Sequence, residues 1–329
     1  MGMKWYVARR LVWAVVVTWI TLTLVFSGLM LSPNPSIQRA TMSCGMQTGG
    51  ELQQCRENIR EQRGLDRPIT EKYVDYVLGM YTGNWGFSQT RSQPVTTAIA
   101  EAWPYSAQFL IPTVIIAALI GYALGLYSAF HQYTKTDYAG SFVAYFGISI
   151  PEFWFAIVLI LVFSVILGWL PVFYDTTIPA QYGWLSWANI KQLILPTATV
   201  LTTSLAGQMR FARNQTLEYI NAEFMKVAKA KGAGEYRLMI RHALRVALVP
   251  LSTFLVGQFL AILWTGALVV EVIFQIPGIG LLGYKALINQ DTSLVMATFL
   301  IPTFLAIVGY LIQDLAYVWL DPRIDYGDR

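Results

Sequence analysis

Six long apolar runs limit what this chain can fold into. A helix needs roughly 20 apolar residues to cross the hydrocarbon core of a bilayer. The runs cover about 11–31, 105–130, 141–168, 193–209, 248–270 and 294–313. Hydrophobic residues make up 55% of the 329 positions and charged residues only 13%, a balance typical of polytopic membrane proteins. The sequence therefore predicts an all-α membrane protein with six transmembrane helices.

The distribution of Lys and Arg predicts the orientation of these helices. With the N-terminus in the cytoplasm, the inner segments carry fourteen of these residues, and the short outer segments carry only Lys191 and Lys285. The outer segment 32–104 counts little, because long segments cross the membrane largely regardless of charge. Both termini are therefore predicted to be cytoplasmic. The protein itself is predicted to lie in the plasma or inner membrane. The first run lacks a convincing small-x-small cleavage site, so we interpret it as a retained helix.

The chain is predicted to have three parts. These are a cytoplasmic start with helix 1 (1–31), a large extracytoplasmic loop (32–104) and a five-helix core (105–329) with a cytoplasmic loop at 211–247. The outer loop holds both cysteines, Cys44 and Cys55. Outside the cytoplasm two such thiols can form a disulfide, and we expect one; two unpaired thiols are the alternative. Their spacing fits neither a zinc site nor a thioredoxin-like motif.

A basic segment, residues 223–246, lies between two of the apolar runs. Arg237, Arg241 and Arg245 recur every four residues, so on a helix they form one cationic stripe, with Leu238 and Leu244 largely off it. A helix ending at Gly232 would turn through residues 232–234, since glycine allows the left-handed conformation. We therefore predict helix, turn, helix. The alternative interpretation is simply that cytoplasmic loops of membrane proteins are basic.

The order of residues in this segment resembles the EAA loop of permease subunits in ATP-binding-cassette (ABC) importers, in the dipeptide, oligopeptide and nickel branch. Ala228-Lys-Ala-Lys-Gly232 and Arg241-His242-Ala-Leu-Arg245 carry the resemblance, followed by Pro250. Lys226 and Val246 depart from the pattern of the branch. Stretches at 64–88, 147–171 and 271–283 are also similar to that family.

The resemblance implies a type I importer permease fold and a loop that docks a separate ATPase. The residues implied at the docking site are Glu223, Ala228, Gly232, Arg237, Arg241, His242 and Arg245. The implied partners are a second homologous permease subunit, two ABC ATPase subunits that carry ATP and Mg, an extracytoplasmic substrate-binding protein and the lipid bilayer. No cofactor is expected on this chain itself. Peptides are the expected substrate; nickel chelates and glycosides stay open.

Three polar residues are candidates for the translocation pathway: Glu152, Gln258 and Glu271. Glu152 is the one charged residue inside an apolar run. A charge there is costly unless it faces protein or water, so it would line the pathway, be protonated, or reach the inner interface. The Gly278-x-Gly280-x-x-Gly283 pattern imitates a dinucleotide-binding fingerprint but follows an apolar run, so we expect it only to allow tight turns.

The sequence argues against catalysis by this chain. It contains no Gly-x-x-x-x-Gly-Lys-Ser/Thr phosphate loop, only two histidines and no paired acid–histidine cluster. The net charge of +4 comes mostly from the predicted inner segments, so a nucleic-acid partner is not indicated. We predict an ABC permease subunit without its own ATPase site. The alternative is an ion-coupled secondary transporter or channel, which would use ionisable residues within its helices and possess inverted repeats.

Overall fold

The computed structural model is mainly helical and forms two compact units. It describes residues 3–31, 41–42, 44, 46, 52–62, 67–88, 90–265, 267–289, 291, 293–298, 300–301, 306 and 309. One unit is built on Trp103–Leu281, and the other on Met3–Ala102 and Leu282–Phe304. The sixth predicted run, 294–313, lies largely outside the described residues.

The described part of the unit built on Met3–Ala102 includes helices with defined bounds and a short hairpin. The helices are α1 (Met3–Leu31), α2 (Leu52–Gln62) and α3 (Ile69–Thr82). Strands β1 (Phe87–Ser88) and β2 (Gln93–Pro94) pair antiparallel, with Phe87 opposite Pro94. Helix α4 (Val95–Phe130) follows directly and begins ten residues before the predicted start of the second run.

Helix α3 packs along the first apolar helix. The Tyr73 hydroxyl lies 2.6 Å from Thr23 Oγ1, and the Tyr81 hydroxyl donates to the Val15 carbonyl at 3.1 Å. The Phe26 ring contacts the Tyr73 ring edge-on, with centroids 5.4 Å apart. The segment predicted as an outer loop therefore contains a helix that uses α1 as its packing surface.

Cys44 and Cys55 are joined by a disulfide, as predicted, with their Cα atoms 5.9 Å apart. Cys55 lies on α2 and is 3% exposed. The bond closes a short loop, and closing a loop of about 15 residues stabilises a folded state by about 3 kcal/mol in chain-entropy estimates.

We expect mass spectrometry of an unreduced digest, made after alkylation of intact cells with a protease that cleaves after Glu51 between the cysteines, to recover Cys44 and Cys55 in one linked peptide pair. Reduction before alkylation should separate them, which is the control. Recovery of both as alkylated thiols without reduction would contradict the disulfide.

The hairpin after α3 is fixed by a buried carboxylate from the same unit. Asp291 accepts hydrogen bonds from the Ser88 hydroxyl at 2.6 Å and from the Thr90 backbone N–H at 2.9 Å. Gly83 and Gly86 have φ of +80° and +83°, which a residue with a side chain rarely adopts. Residues 83–88 thus form a tight turn whose last residue, Ser88, is held by Asp291.

The unit built on Trp103–Leu281 contains most of α4 and the described helices that follow it, the last of which begins in this unit and continues into the other. In chain order they are α5 (Lys135–Ser149), α6 (Glu152–Leu159), a π-helix (Ile160–Ile166), α7 (Thr177–Tyr182), α8 (Trp187–Ile220), α9 (Glu223–Ala230), α10 (Glu235–Arg237), a second π-helix (Leu238–Leu244), α11 (Arg245–Thr265), α12 (Leu268–Phe274) and α13 (Ile279–Asn289). A shared apolar core joins α4, α6, α8 and α12 through Phe109, Ala156, Leu193 and Phe274.

The third predicted run, 141–168, is not one straight helix. Lys135–Ser149 and Glu152–Ile166 meet at an angle of 100°. Ile150 is extended, with φ −82° and ψ 126°, because the ring of Pro151 excludes the helical conformation from the preceding residue. Glu152 therefore lies in the first turn of α6, at the break between the two helices and not inside one continuous helix.

By length and composition, three stretches are apolar enough to cross a membrane within the described part of the chain: Ala8–Gly28, Val95–Phe130 and Glu235–Leu260. Two bent pairs, Lys135–Ser149 with Glu152–Ile166 and Leu268–Phe274 with Ile279–Asn289, would add two more if each pair is one span.

Helix α8 contains the fourth predicted run, 193–209, but is not among these stretches. Several hydroxyl residues interrupt its apolar sequence. Their side chains donate to carbonyls one turn earlier, as Thr199 does to Leu195 and Thr202 to Ala198 at 2.8 and 2.9 Å. Because these hydroxyls are satisfied within the helix, α8 remains compatible with apolar surroundings.

Two glycines allow α4 to approach α8 closely. A Cβ on Gly121 would lie 2.7 Å from Gln208 Cβ, and one on Gly125 would lie 2.5 Å from the Met209 carbonyl oxygen. Glycines four residues apart lie on one helix face. The pair therefore serves helix packing, since any side chain at either position would push the helices apart.

Candidate functional site

The basic segment folds as the predicted helix, turn and helix. Helix α9 ends at Ala230, and Gly232 follows with φ +80°. The Ala233 N–H donates to the Ala228 carbonyl at 3.1 Å, which satisfies one of the free carbonyls at the helix end. A Cβ added to Gly232 would meet open space. The positive φ, and not crowding, is therefore what requires glycine here.

The second half of the segment differs from the predicted α-helix. Residues 238–244 form a π-helix, so the buried positions Leu238, Ala243 and Ala247 are spaced five and then four residues apart. Arg237, Arg241 and Arg245 remain exposed. The three arginines therefore share exposure to solvent, while the first step between the buried residues is five residues and not the three or four of an α-helix.

A hydrophobic cluster attaches the basic segment to the end of α4. The cluster contains Leu126 of α4 and, from the basic segment, Met225, Ala228, Leu238 and Ala243. A contact between a histidine and a carboxylate lies beside the cluster. His131 Nε2, just after α4, is 3.2 Å from Glu235 Oε1 at the start of α10. The segment is thus held on one particular helix of the core.

The polar residues of the segment mostly face outward. Glu223 is 87% exposed in its side chain and pairs with Lys226 Nζ at 2.9 Å. His242 is half-buried. Exposure of the charged residues leaves this surface free to meet a partner, while Ala228 and its apolar neighbours face α4.

The three pathway candidates lie on different elements and share no hydrogen bond in the part of the chain that the structure describes. Glu152 is half-buried at the start of α6, and Gln258 is half-buried on α11. Glu271, on α12, is fully buried. Glu152 and Glu271 lie on helices that pack against each other, α6 and α12, while Gln258 lies on α11.

Glu271 instead binds the turn between α12 and α13. Its Oε1 accepts from the Ser106 hydroxyl at 2.6 Å, and its Oε2 accepts from the Leu281 N–H at 2.9 Å. Ser106 Oγ in turn accepts from the Ile279 N–H at 2.8 Å.

The glycines of the Gly278-x-Gly280 pattern make room for the Glu271 carboxylate. A Cβ on Gly278 would lie 2.6 Å from Glu271 Oε1, and one on Gly280 would lie 3.0 Å from Oε2. The left-handed residue of the turn is Gln275, with φ +55°. The chain bends by 86° between α12 and α13, and these glycines allow the turn through close approach and not through a left-handed backbone conformation.

Two polar networks were missed by reasoning from the sequence. In one, the Tyr174 hydroxyl donates to Asn189 Oδ1 at 3.0 Å and accepts from Gln108 Nε2 at 3.0 Å. Burial raises the pKa of Tyr174 to about 12, so its hydroxyl stays protonated as a donor. In the other, Asp137 on α5 pairs with Arg213 on α8. The members of each network are too far apart in sequence for spacing to reveal them.

No group of three or more His, Cys, Asp or Glu side chains that could hold a metal ion occurs among the described residues.

These features define a helical, multi-pass membrane protein with a basic helix–turn–helix segment attached to its core. The family described as "Binding-protein-dependent transport system inner membrane component" matches residues 121–326, and the corresponding N-terminal family matches residues 3–108. The chain belongs to this family of transport-system membrane components. Its prediction as a transport subunit and not an enzyme is thereby confirmed, as is its membrane location.

Several curated relatives cover most of the chain. The oligopeptide transport system permease protein AppB of Bacillus subtilis is 35% identical over 272 residues, which are 82% of this chain and 85% of the relative. The dipeptide transport system permease protein DppB of Alkalihalophilus pseudofirmus is 33% identical, with the same coverage. The oligopeptide transport system permease protein OppB of Escherichia coli is 30% identical over 98% of this chain and 99% of its own length.

Proposed function

We propose that this chain is one of two homologous permease subunits of an ATP-driven importer of di- or oligopeptides, and that it forms half of the translocation pathway. The observation that carries the proposal is family membership over nearly the whole chain. The peptide substrate rests on the names of the relatives, which are components of oligopeptide and dipeptide transport systems.

The basic segment is the proposed docking site for the ATPase. Its exposed arginines present charge to a partner, while its apolar side chains fix it to α4. A docking element must be held rigidly to its own core in order to pass on movement, and the cluster at Leu126 and the left-handed turn at Gly232 favour that role.

In the proposed topology six helices span the membrane and both termini are cytoplasmic. Residues 211–247 then lie on the inner face and residues 32–104 on the outer face. The disulfide between Cys44 and Cys55 supports this orientation, because disulfides persist in oxidising compartments outside the cytoplasm.

ATP and Mg would bind to the two partner ATPase subunits. Their closure would draw the docked segments together and open the pathway outward, where a substrate-binding protein delivers the peptide. Among the three candidate pathway residues, Glu152 and Gln258 are half-buried and Glu271 is fully buried. Substrate could therefore reach Glu152 and Gln258 with smaller movements of the surrounding side chains.

The proposal is tested by affinity purification of the chain from its native membranes, identification of the attached subunits, and reconstitution of the purified assembly in vesicles. We expect an ABC ATPase to co-purify and labelled peptide to accumulate only with ATP and binding protein. A protonophore should have no effect. Uptake that needs no ATP and collapses with the protonophore would instead indicate the ion-coupled transporter.

A further inference from the structure

Asp137 and Arg213 form an ion pair with well-defined geometry. Asp137, in the first turn of α5, is 2% exposed. Its Oδ1 accepts from Arg213 Nε at 2.9 Å and its Oδ2 accepts from Arg213 Nη2 at 3.0 Å. Bidentate pairs of this kind fix the relative orientation of the two side chains as well as their distance.

The same carboxylate also holds the end of α4. Asp137 Oδ1 accepts from the Ser128 hydroxyl, and its Oδ2 accepts from the Tyr133 N–H at 3.0 Å. Arg213 Nε lies 3.2 Å from Ser128 Oγ. One buried carboxylate therefore connects α4, the turn after it, the start of α5 and α8.

These contacts close a ring that includes the basic segment. The last turn of α4 contacts the basic segment through Leu126, and His131 contacts Glu235 just beyond it. Ser128, between these two residues, contacts Asp137. Arg213 lies seven residues before the end of α8, and α9 of the basic segment begins three residues after that end. The basic segment is thus joined to α8 twice, once along the chain and once through α4 and the ion pair.

A ring of this kind limits relative movement. If the segment shifted against α8, either the apolar cluster or the buried ion pair would have to open. An open pair would leave a carboxylate buried without its cation, which is strongly unfavourable. Displacement of the basic segment is therefore passed to α4 and α5.

We propose that Asp137 and Arg213 are positioning residues that make the basic segment, the end of α4, the start of α5 and α8 move as one body. This inference rests on the proposed function, since it assigns the pair a part in converting ATP hydrolysis into transport. If the pair only neutralised buried charge, a variant that lacks both charges would transport as well as the wild type. If the pair positions the helices, that variant would transport poorly.

The test compares four variants in the complete assembly. Asp137→Asn and Arg213→Lys each disturb the pair singly, and Asp137→Asn with Arg213→Gln removes both charges together. Arg210→Gln is the matched control: Arg210 lies one turn earlier on α8, is exposed and stacks over Tyr145 at 5.8 Å without joining the pair. For each we measure the amount of assembled complex, ATP hydrolysis and peptide transport.

The deciding quantity is transport per ATP hydrolysed. Loss of folded protein lowers transport and hydrolysis together and leaves this ratio unchanged. We expect the double variant to assemble with its ATPase and to hydrolyse ATP, with a ratio reduced roughly tenfold, within the range of typical coupling effects. Arg213→Lys should retain more of the ratio than the double variant, and Arg210→Gln should match the wild type.

Two results would overturn the inference. A double variant with a normal ratio would mean that the pair only neutralises charge. A double variant that cannot be recovered from membranes, while Arg210→Gln can, would assign the pair to folding alone. Failure of the proposed function would look different, since the wild-type protein itself would then show no ATP-dependent transport.

Discussion

Replacing Gly232 with valine is expected to leave the protein inserted in the membrane while lowering recovery of the ATPase and abolishing transport. Gly232 has φ +80°, in the left-handed region, where a side chain costs about 1–2 kcal/mol. Open space surrounds the position, so the cost comes from the backbone and not from a clash. The turn would relax and change the angle between α9 and the helix that follows.

Gly234, two residues later, is the matched control position. It has φ −67°, is also surrounded by open space, and is the N-cap residue of α10. Gly234→Thr adds a β-branched side chain of nearly the same shape as valine where the backbone accepts it, and threonine is a favourable N-cap. We expect this variant to retain the ATPase in a detergent pull-down and to transport normally.

Arg241→Ala distinguishes turn geometry from charge. Arg241 is exposed, and exposed ion pairs contribute at most about 1 kcal/mol. Its effect on ATPase recovery should therefore be smaller than that of Gly232→Val, measured side by side. If Gly232→Val binds the ATPase and transports normally while Arg241→Ala does not, docking depends on charge.

Local signals in the sequence were the most informative about the fold. The apolar runs located α1, α4 and α11, and the glycines after Ala230 located the turn, because each depends on neighbouring residues alone. The break at Pro151 was also readable in principle, since proline restricts the residue before it. The break was obscured because residues 141–168 are apolar throughout, and a hydropathy average gives no information about the direction of a helix axis.

Contacts between distant residues could not be predicted in this way. Asp137 and Arg213 are 76 residues apart, and Ser106 and Glu271 are 165 apart. In the sequence, Asp137 and Arg213 are two charges in separate inner segments, and nothing in their spacing pairs them. The π-helix at Leu238–Leu244 also escaped prediction, and its buried residues Leu238 and Ala243 share a cluster with Leu126 of α4, which is far from them in the sequence.

Replacing Glu271 with alanine is expected to destabilise the protein severely. The change removes the acceptor of the Ser106 hydroxyl and of the Leu281 N–H, both buried. Each buried donor left without a partner costs about 1–3 kcal/mol, so the two together cost about 2–6 kcal/mol. We expect the apparent Tm of the detergent-solubilised protein to fall by about 3–9 °C, with less protein recovered from membranes.

Glu271→Gln and Glu218→Ala complete this experiment. A glutamine side chain at this position would keep an oxygen for the Leu281 N–H and could donate an N–H to Ser106 Oγ, so that only the Ser106 O–H would lose its acceptor. The loss of stability should therefore be smaller than in Glu271→Ala. Glu218 is exposed on α8, and its replacement should leave Tm unchanged. If Glu271→Ala melts like the wild type but fails to transport, Glu271 acts in the translocation pathway. If instead stability falls in Glu271→Ala and returns in Glu271→Gln together with transport, the carboxylate serves to hold the turn between α12 and α13.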